Sequence, residues 1–327
     1  MLFRCNLLAL VGSGSSPRYP GNKVLLWDDT TCSVVGERSF PTTIIAIRMR
    51  RDRLVVVLEH SVHVFNLLDL ALLGVFETYA NSRGVVALSY HASNSVLAIS
   101  GTTKGSVRVE LFNDNKTTLI LAHKSPLHLV SLNAEGSLLA TASEKGTLIR
   151  LFNSHTGELL TELRRGSEKC TLYSVAFSST SHWLLASSDR GTVHVFALKG
   201  NDKDKDKDDK DEQRRVSGND RGVVGGPETT LEGTGRALSN SDRSFKKAGS
   251  NSGGSHNWLG NVANYFNSKW SYISFKSPDC PSISAFGSHG ALKDTVLIVC
   301  ADGRILRYSF NPDRPKDVKL VCESRFN

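Results

Sequence analysis

Long apolar runs are missing from this chain of 327 residues. The longest, Leu67 to Phe76 (LLDLALLGVF), contains an aspartate and falls well short of the ~20 residues a spanning helix needs. The N-terminal MLFRCNLLALVGSGSS has the lone Arg and short apolar stretch of a signal peptide, but LLALV also reads as a buried strand, and that reading is preferred. Cysteines are sparse. Cys5, Cys32, Cys170, Cys280, Cys300 and Cys322 include no C-x-x-C pair and no closely spaced His partner. This argues against a disulfide scaffold and a zinc module and fits a reducing cytosol, so neither a secreted nor a membrane-spanning protein is expected. Helical periodicity is nearly absent. Enzyme signatures are lacking too: there is no Walker loop, nucleophile elbow or H-E-x-x-H. Gly12-Ser13-Gly14-Ser15-Ser16-Pro17 begins like a dinucleotide loop, but the third glycine and a following helix are missing, so it reads as a hairpin turn. His60, His63 and His91 have ordinary places on strands and turns. The chain reads as a non-enzyme without cofactor or metal.

Apolar residues make up 39% and charged residues 22%, enough for a packed core in one large domain or two ordinary ones. The average hides a very polar stretch around 201–256. Elsewhere one phrase recurs: a turn with Gly or a polar residue, then a short alternating strand ending in an aromatic. It appears as KVLLWDD (23–29), HSVHVFN (60–66), KGSVRVELFN (104–113), EKGTLIRLFN (144–153), DRGTVHVFA (189–197) and DGRILRYSF (302–310). Trp27, Phe65, Phe112, Phe152 and Phe196 are spaced by 38, 47, 40 and 44 residues. Two strand-like runs precede each full phrase, such as PLHLVSLN and SLLATAS, and one follows, such as GELLTELR. Four short strands per ~40–45 residues, joined by Gly, Ser and Asn turns, predict the blades of an all-β, WD-repeat-type propeller.

From Phe196 to Phe310 the gap is 114 residues, about 70 more than a blade of this kind requires. The excess, 200–257, begins at NDKDKDKDDKDEQRR and turns Gly/Ser/Asn-rich, too polar to offset the cost of ordering, and is expected to be disordered. It would interrupt the penultimate blade, with 268–327 completing that blade and the last one. At its end, HNWLGNVANYFNSKW places Trp258, Leu259, Val262, Tyr265 and Phe266 at one helical face. Two readings stand open for 258–267: packing on the propeller flank, or a segment lying in a bilayer interface, where Trp and Tyr are favoured and Lys269 would meet anionic headgroups.

The most informative residues are Leu163-Arg164-Arg165-Gly166, between the fourth and fifth repeats. Adjacent arginines at a strand end point to opposite sides, so each can serve its own pocket, and the planar guanidinium grips phosphate oxygens bidentately. Gly166 is expected to allow a sharp turn that exposes both. An Arg-Arg pair alone is also compatible with a solvated turn.

Around this motif the chain resembles the PROPPINs, the WIPI-type phosphoinositide-binding propellers of autophagy. The similarity runs along nearly the whole chain outside the insert. It is strongest at NLLALVGSGSSPRYP, RMRRDRLVVVL, ATASEKGTLIRLFN, TELRRGSEKCTLYSVAFS, SSDRGTVHVFALK and YFNSKWSYISF. The family hallmark F/L-R-R-G stands here as Leu163–Gly166. The resemblance implies a seven-bladed propeller that binds phosphatidylinositol 3-phosphate and phosphatidylinositol 3,5-bisphosphate at two rim sites and dips a loop into the membrane. Carried over, the first site uses Thr141, Ser143, Gly146, Thr147 and Arg150 with Arg164. The second uses Arg165, Gly166, Ser188, Thr192 and His194. Hydroxyls, a glycine amide and an arginine suit phosphate oxygens, although Ser-x-x-Gly-Thr is also an ordinary structural turn in propeller blades.

The chain departs from the family in showing six phrases rather than seven. It starts within the family's second blade, so the first blade is expected to be absent and ring closure is open. The leading expectation is a non-enzymatic effector on preautophagosomal, endosomal or vacuolar membranes, cytoplasmic and peripheral. Its partners would be these lipids and autophagy proteins, a lipid-transfer partner among them. A propeller scaffold that binds only proteins is the alternative. A nucleic-acid binder, suggested by the net charge of +8, is disfavoured because no aromatic-and-basic stacking platform is present.

Overall fold

The computed structural model describes residues 6–14, 18–91, 93–198, 268–288, 292 and 294–326. The stretch 199–267, which holds the polar insert and the Trp258–Phe266 stripe, lies outside the described residues.

Six small antiparallel sheets follow one another along the chain. The first has three strands, β1 (Leu7–Val11), β2 (Lys23–Asp28) and β3 (Ser33–Ser39). The second has β4 (Ala46–Met49), β5 (Arg53–Val57), β6 (Ser61–Asn66) and β7 (Leu72–Glu77). The third is made of β8 (Val86–Leu88), β9 (Val96–Ser100), β10 (Ser106–Leu111) and β11 (Lys116–Leu121). The fourth contains β12 (Leu127–Leu132), β13 (Leu138–Ser143), β14 (Leu148–Asn153) and β15 (Leu159–Arg164). The fifth begins with β16 (Leu172–Phe177), β17 (Trp183–Ser188) and β18 (Thr192–Ala197). Beyond the insert, β19 (Lys269–Trp270) attaches to the fourth sheet, and β20 (Ile273–Lys276) completes the fifth. The sixth comprises β21 (Ser282–Phe286), β22 (Thr295–Cys300), β23 (Arg304–Asn311) and β24 (Arg314–Arg325).

The aromatic-ended phrases fall on β2, β6, β10, β14, β18 and β23. Glycines at positive φ stand in the turns before four of them: Gly105, Gly146, Gly191 and Gly303. The strands in the middle of a sheet, such as β9 (VLAIS) and β13 (LLATAS), are buried almost throughout because both faces are covered. Outer strands such as β11 alternate between buried and exposed residues, since one face meets water.

Side chains from neighbouring sheets interdigitate at five seams. Val24 and Leu26 pack with Leu54 and Phe65 between sheets one and two. Val55 and Val62 meet Leu97 and Ile99 between two and three, and Val107 and Val109 meet Leu132 and Phe152 between three and four. Ile149 and Leu163 meet Leu184 and Phe196 between four and five, and Val193 and Val195 meet Val296 and Ile298 between five and six. Among the described residues no such cluster joins the sixth sheet to the first, and Ile283 of β21 and Leu10 of β1 are exposed. No helix among the described residues is long and apolar enough to cross a membrane.

Candidate functional site

Strand β15 ends on the arginine pair. Leu163 is fully buried in the seam with the fifth sheet, which anchors the strand end by roughly 2 kcal/mol of side-chain burial. Alternation then sends the next two side chains to different neighbours. Leu148 and Ile149 of β14 pair with Arg164 and Leu163, so Arg164 shares a face with Leu148, Arg150 and Glu162, turned away from the Leu163 seam. Arg165 follows on the Leu163 side.

The Arg165 side chain is only 8% exposed, not the open charge that its position beside a glycine suggests. Its backbone N–H donates to Thr147 O at 3.0 Å, Nε donates to Gly146 O at 3.3 Å, and Nη2 donates to the Glu168 carbonyl. Among the described residues it pairs with no carboxylate, because Glu168 directs its own carboxylate to Arg190 at 3.3 Å. Gly146 makes this packing possible. Its φ is +64°, and a Cβ there would stand 2.1 Å from Cys170 O. Gly166 is different: a Cβ would meet nothing within 4 Å, and its φ is not in the left-handed region, so the turn does not depend on glycine there.

Facing Arg165 across the seam are residues of β17 and β18. Register pairs Ser188 with Thr192 and Ala186 with His194, placing Ser188, Thr192 and His194 on the face that carries Ala186 and Phe196 toward the fourth sheet. Burial first, and then the Arg165 charge, push the His194 pKa down to about 4, so the imidazole is neutral at pH 7. Its Nδ1 lies 3.1 Å from Ser271 Oγ. Ser188 is 3% exposed, and among the described residues its Oγ has only the Cys170 thiol as a polar side-chain neighbour. Thr192 donates its hydroxyl to Arg190 O at 3.3 Å. An arginine bonded only to carbonyls among the described residues, a neutral histidine and a buried hydroxyl thus face one seam.

On the other face of the fourth sheet, Arg164 donates Nε to Ser268 Oγ at 2.8 Å and stands opposite Trp270 of β19, which is 51% exposed. Arg150 is held by Glu162 through Nε at 2.7 Å and by the Ala122 carbonyl through Nη1. Thr141 pairs in register with Arg150, and its Oγ1 lies 2.9 Å from His123 Nε2. Burial and then Arg150 lower the His123 pKa to about 4. Ser143 is buried, its carbonyl accepting from Gly146 N–H at 2.9 Å. Gly146, expected beside Arg164, contacts Arg165 instead, and Thr147 bonds the Arg165 amide. In this second group Glu162 offsets the Arg150 charge.

Sequence reasoning missed His123, Ser268 and Ser271. Ser268 and Ser271 flank β19 and reach Arg164 and His194, His123 follows β11 and reaches Thr141 from the neighbouring sheet, and no local motif marks them. Trp258, Leu259, Val262, Tyr265 and Phe266 lie outside the described residues. Cys280, Cys300 and Asp302 bring ligand atoms within 4.8 Å of one another, but Arg304 Nε already donates to Asp302 Oδ2 at 2.7 Å.

Small antiparallel sheets packed face to face in chain order, with third strands of one repeated pattern, define a WD-repeat-type β-propeller. The PROPPIN family model matches residues 2–259, and the chain belongs to that family. It is 43% identical over 200 residues to Autophagy-related protein 18e of Arabidopsis thaliana, a match covering 61% of this chain and 54% of that protein. The chain thus spans about half the length of this relative. Kluyveromyces lactis Hsv2 with its complete loop 6CD is similar in fold, with a TM-score of 0.68 and 20% identity over 99% of this chain and 85% of that one. KlAtg21, solved in complex with the coiled-coil of AgAtg16, gives a TM-score of 0.69 at 20% identity over 100% of this chain and 84% of that one.

Proposed function

We propose that this PROPPIN is a non-enzymatic effector that binds phosphatidylinositol 3-phosphate and phosphatidylinositol 3,5-bisphosphate through two seams on either side of the fourth sheet. One uses Arg165, Gly166, Ser188, Thr192 and His194, with the Gly146 and Thr147 carbonyls holding Arg165 in place; the other uses Thr141, Ser143, Arg150 and Arg164. The observation that carries the reading is the Arg165 seam: a desolvated guanidinium without a carboxylate among the described residues, set against a buried Ser188 hydroxyl that has only a thiol beside it there. Such a group favours an oxyanion, since phosphate oxygens would satisfy both. Exposed Trp270, opposite Arg164, suits the boundary between headgroups and water.

Two weak sites on one molecule gain avidity in the membrane plane, where the second headgroup is met at high effective concentration. The role that follows is recruitment of autophagy proteins to 3-phosphorylated membranes. The complex of KlAtg21 with a coiled-coil supports a protein partner of that kind. Co-sedimentation with liposomes bearing each phosphoinositide tests the reading. Binding should require a 3-phosphorylated lipid and fall sharply in Arg164→Ala. Binding that ignores lipid identity would leave a protein-only scaffold.

A further inference from the structure

The first strands of successive sheets pack on one another: β4 on β8, β8 on β12 and β12 on β16. Where these four strands converge there is a cavity of about 420 Å³. Arg48 from β4, Arg83 ahead of β8, His128 from β12, and Thr171 and Tyr173 at β16 supply its polar lining, and no Asp or Glu contributes. Neither arginine pairs with a carboxylate among the described residues. Arg48 spends one N–H on the neighbouring Ile47 carbonyl at 2.8 Å, and desolvation lowers its pKa. His128 lies 2.8 Å through Nε2 from Leu172 O; burial depresses it, and the Arg83 charge adds to that effect. Glu144 and Asp189 act on His128 from outside the lining, each less than Arg83 does. Asp189 accepts from the Thr171 N–H at 3.0 Å, which sets its carboxylate at the edge of the cavity and outside the lining.

Arg48 and Arg83 bring two positive charges to one cavity whose lining holds no carboxylate among the described residues, and both side chains stay open to solvent and so to a soluble ligand. A cavity lined by two arginines and no carboxylate favours an anion supplied from outside. We infer that this cavity is a binding site for a small soluble oxyanion carrying at least two charges, a phosphate ester or a polycarboxylate, gripped by Arg48 and Arg83. The planar forks suit either group, the Thr171 and Tyr173 hydroxyls add donors, and the volume matches a ligand of that size. The site draws on the first strands of sheets two to five, whereas the lipid-binding seams proposed above lie between the later strands of sheets three to five. Neither depends on the other.

The two histidines make the distinction measurable, because His128 lines the cavity and His194 lies in the Arg165 seam. Inorganic pyrophosphate and, separately, citrate are titrated into the full chain labelled at histidine, with His128→Gln and His194→Gln assigning the ring resonances. Pyrophosphate should shift the His128 signals saturably. Citrate doing the same would place a polycarboxylate in the site, and silence with citrate would restrict it to phosphates. In Arg48→Gln/Arg83→Gln the His128 response should weaken at least about tenfold, while His194 keeps its native resonance as an internal check of folding. Arg48→Lys/Arg83→Lys, which keeps charge but loses the forks, should fall between. The inference is overturned if neither anion moves His128, if only His194 responds, or if the double glutamine variant responds like the parent chain.

Discussion

Arg165 acts on His194 across the seam between the fourth and fifth sheets, its charge adding to burial in holding the imidazole pKa down to about 4. A phosphate arriving there would cancel the arginine's field. The His194 pKa should therefore rise when a soluble inositol phosphate headgroup binds, as read by NMR titration of the ring with and without headgroup. An unchanged pKa would show that the headgroup does not occupy this seam.

The same shift governs acid stability. His123 and His194 stay neutral in the fold to about pH 4, whereas in the unfolded chain they take up protons from about pH 6.5. The unfolded chain binds more protons between those limits, so stability should fall as pH drops from about 6.5 to 4. The loss is at most about 3 kcal/mol per histidine, less whatever solvent screens. Denaturant melts across that window should show a shallower slope in His194→Gln than in the parent chain.

The two arginines should separate by assay. Arg164→Ala is expected to weaken liposome binding far more than soluble headgroup binding, with little change in melting. Arg165→Ala should do both kinds of damage, because it abandons the Gly146 and Glu168 carbonyls: a loss of about 1–3 kcal/mol in urea unfolding together with the loss of lipid. Equal stability in the two variants would contradict the buried placement of Arg165.

Glycines 146 and 166 make a contrasting pair. Gly146→Ala combines a left-handed backbone with a Cβ 2.1 Å from Cys170 O, and should destabilise by more than about 2 kcal/mol. Gly166→Ala meets open space and should stay within about 0.5 kcal/mol. Thermal or denaturant unfolding of the two variants decides.

For the stretch beyond Ala197 the expectation is functional. Replacing Trp258, Leu259, Tyr265 and Phe266 by Ser should reduce liposome binding and spare soluble headgroup affinity, since interface burial adds roughly 1.5–3 kcal/mol for each large side chain fully inserted. Deleting 201–255 should leave lipid binding intact. A serine variant that unfolds would mark these side chains as propeller core, and one that binds bilayers normally would leave the arginines sufficient.

The aromatic-ended phrases suffice to place β2, β6, β10, β14, β18 and β23, because each is one alternating run ended by a local turn. The opposite directions of Arg164 and Arg165 were likewise legible, following from strand alternation alone. The burial of Arg165 was not, since it depends on how Cys170 closes over Gly146 from the next sheet. Nor was the pairing of Lys269 with Leu163, which joins residues more than a hundred positions apart and leaves no periodic trace in so short a segment. His123 beside Thr141 belongs to the same class: its role is set by a neighbouring blade rather than by its own sequence surroundings.

The two-residue ladder of β19 on β15 has a mechanical side. Among the described residues, the first ones after Leu198, Ser268 to Trp270, attach to the edge strand of the preceding sheet at Leu163 and Arg164. A pull on the intervening stretch, from a bound partner or a bilayer, reaches that short parallel clasp before it reaches β20. The clasp has few backbone bonds to resist with, so it would peel first. Tension would then register as a change in the surroundings of one phosphate-seeking arginine, leaving the four-stranded sheets beneath it unstrained.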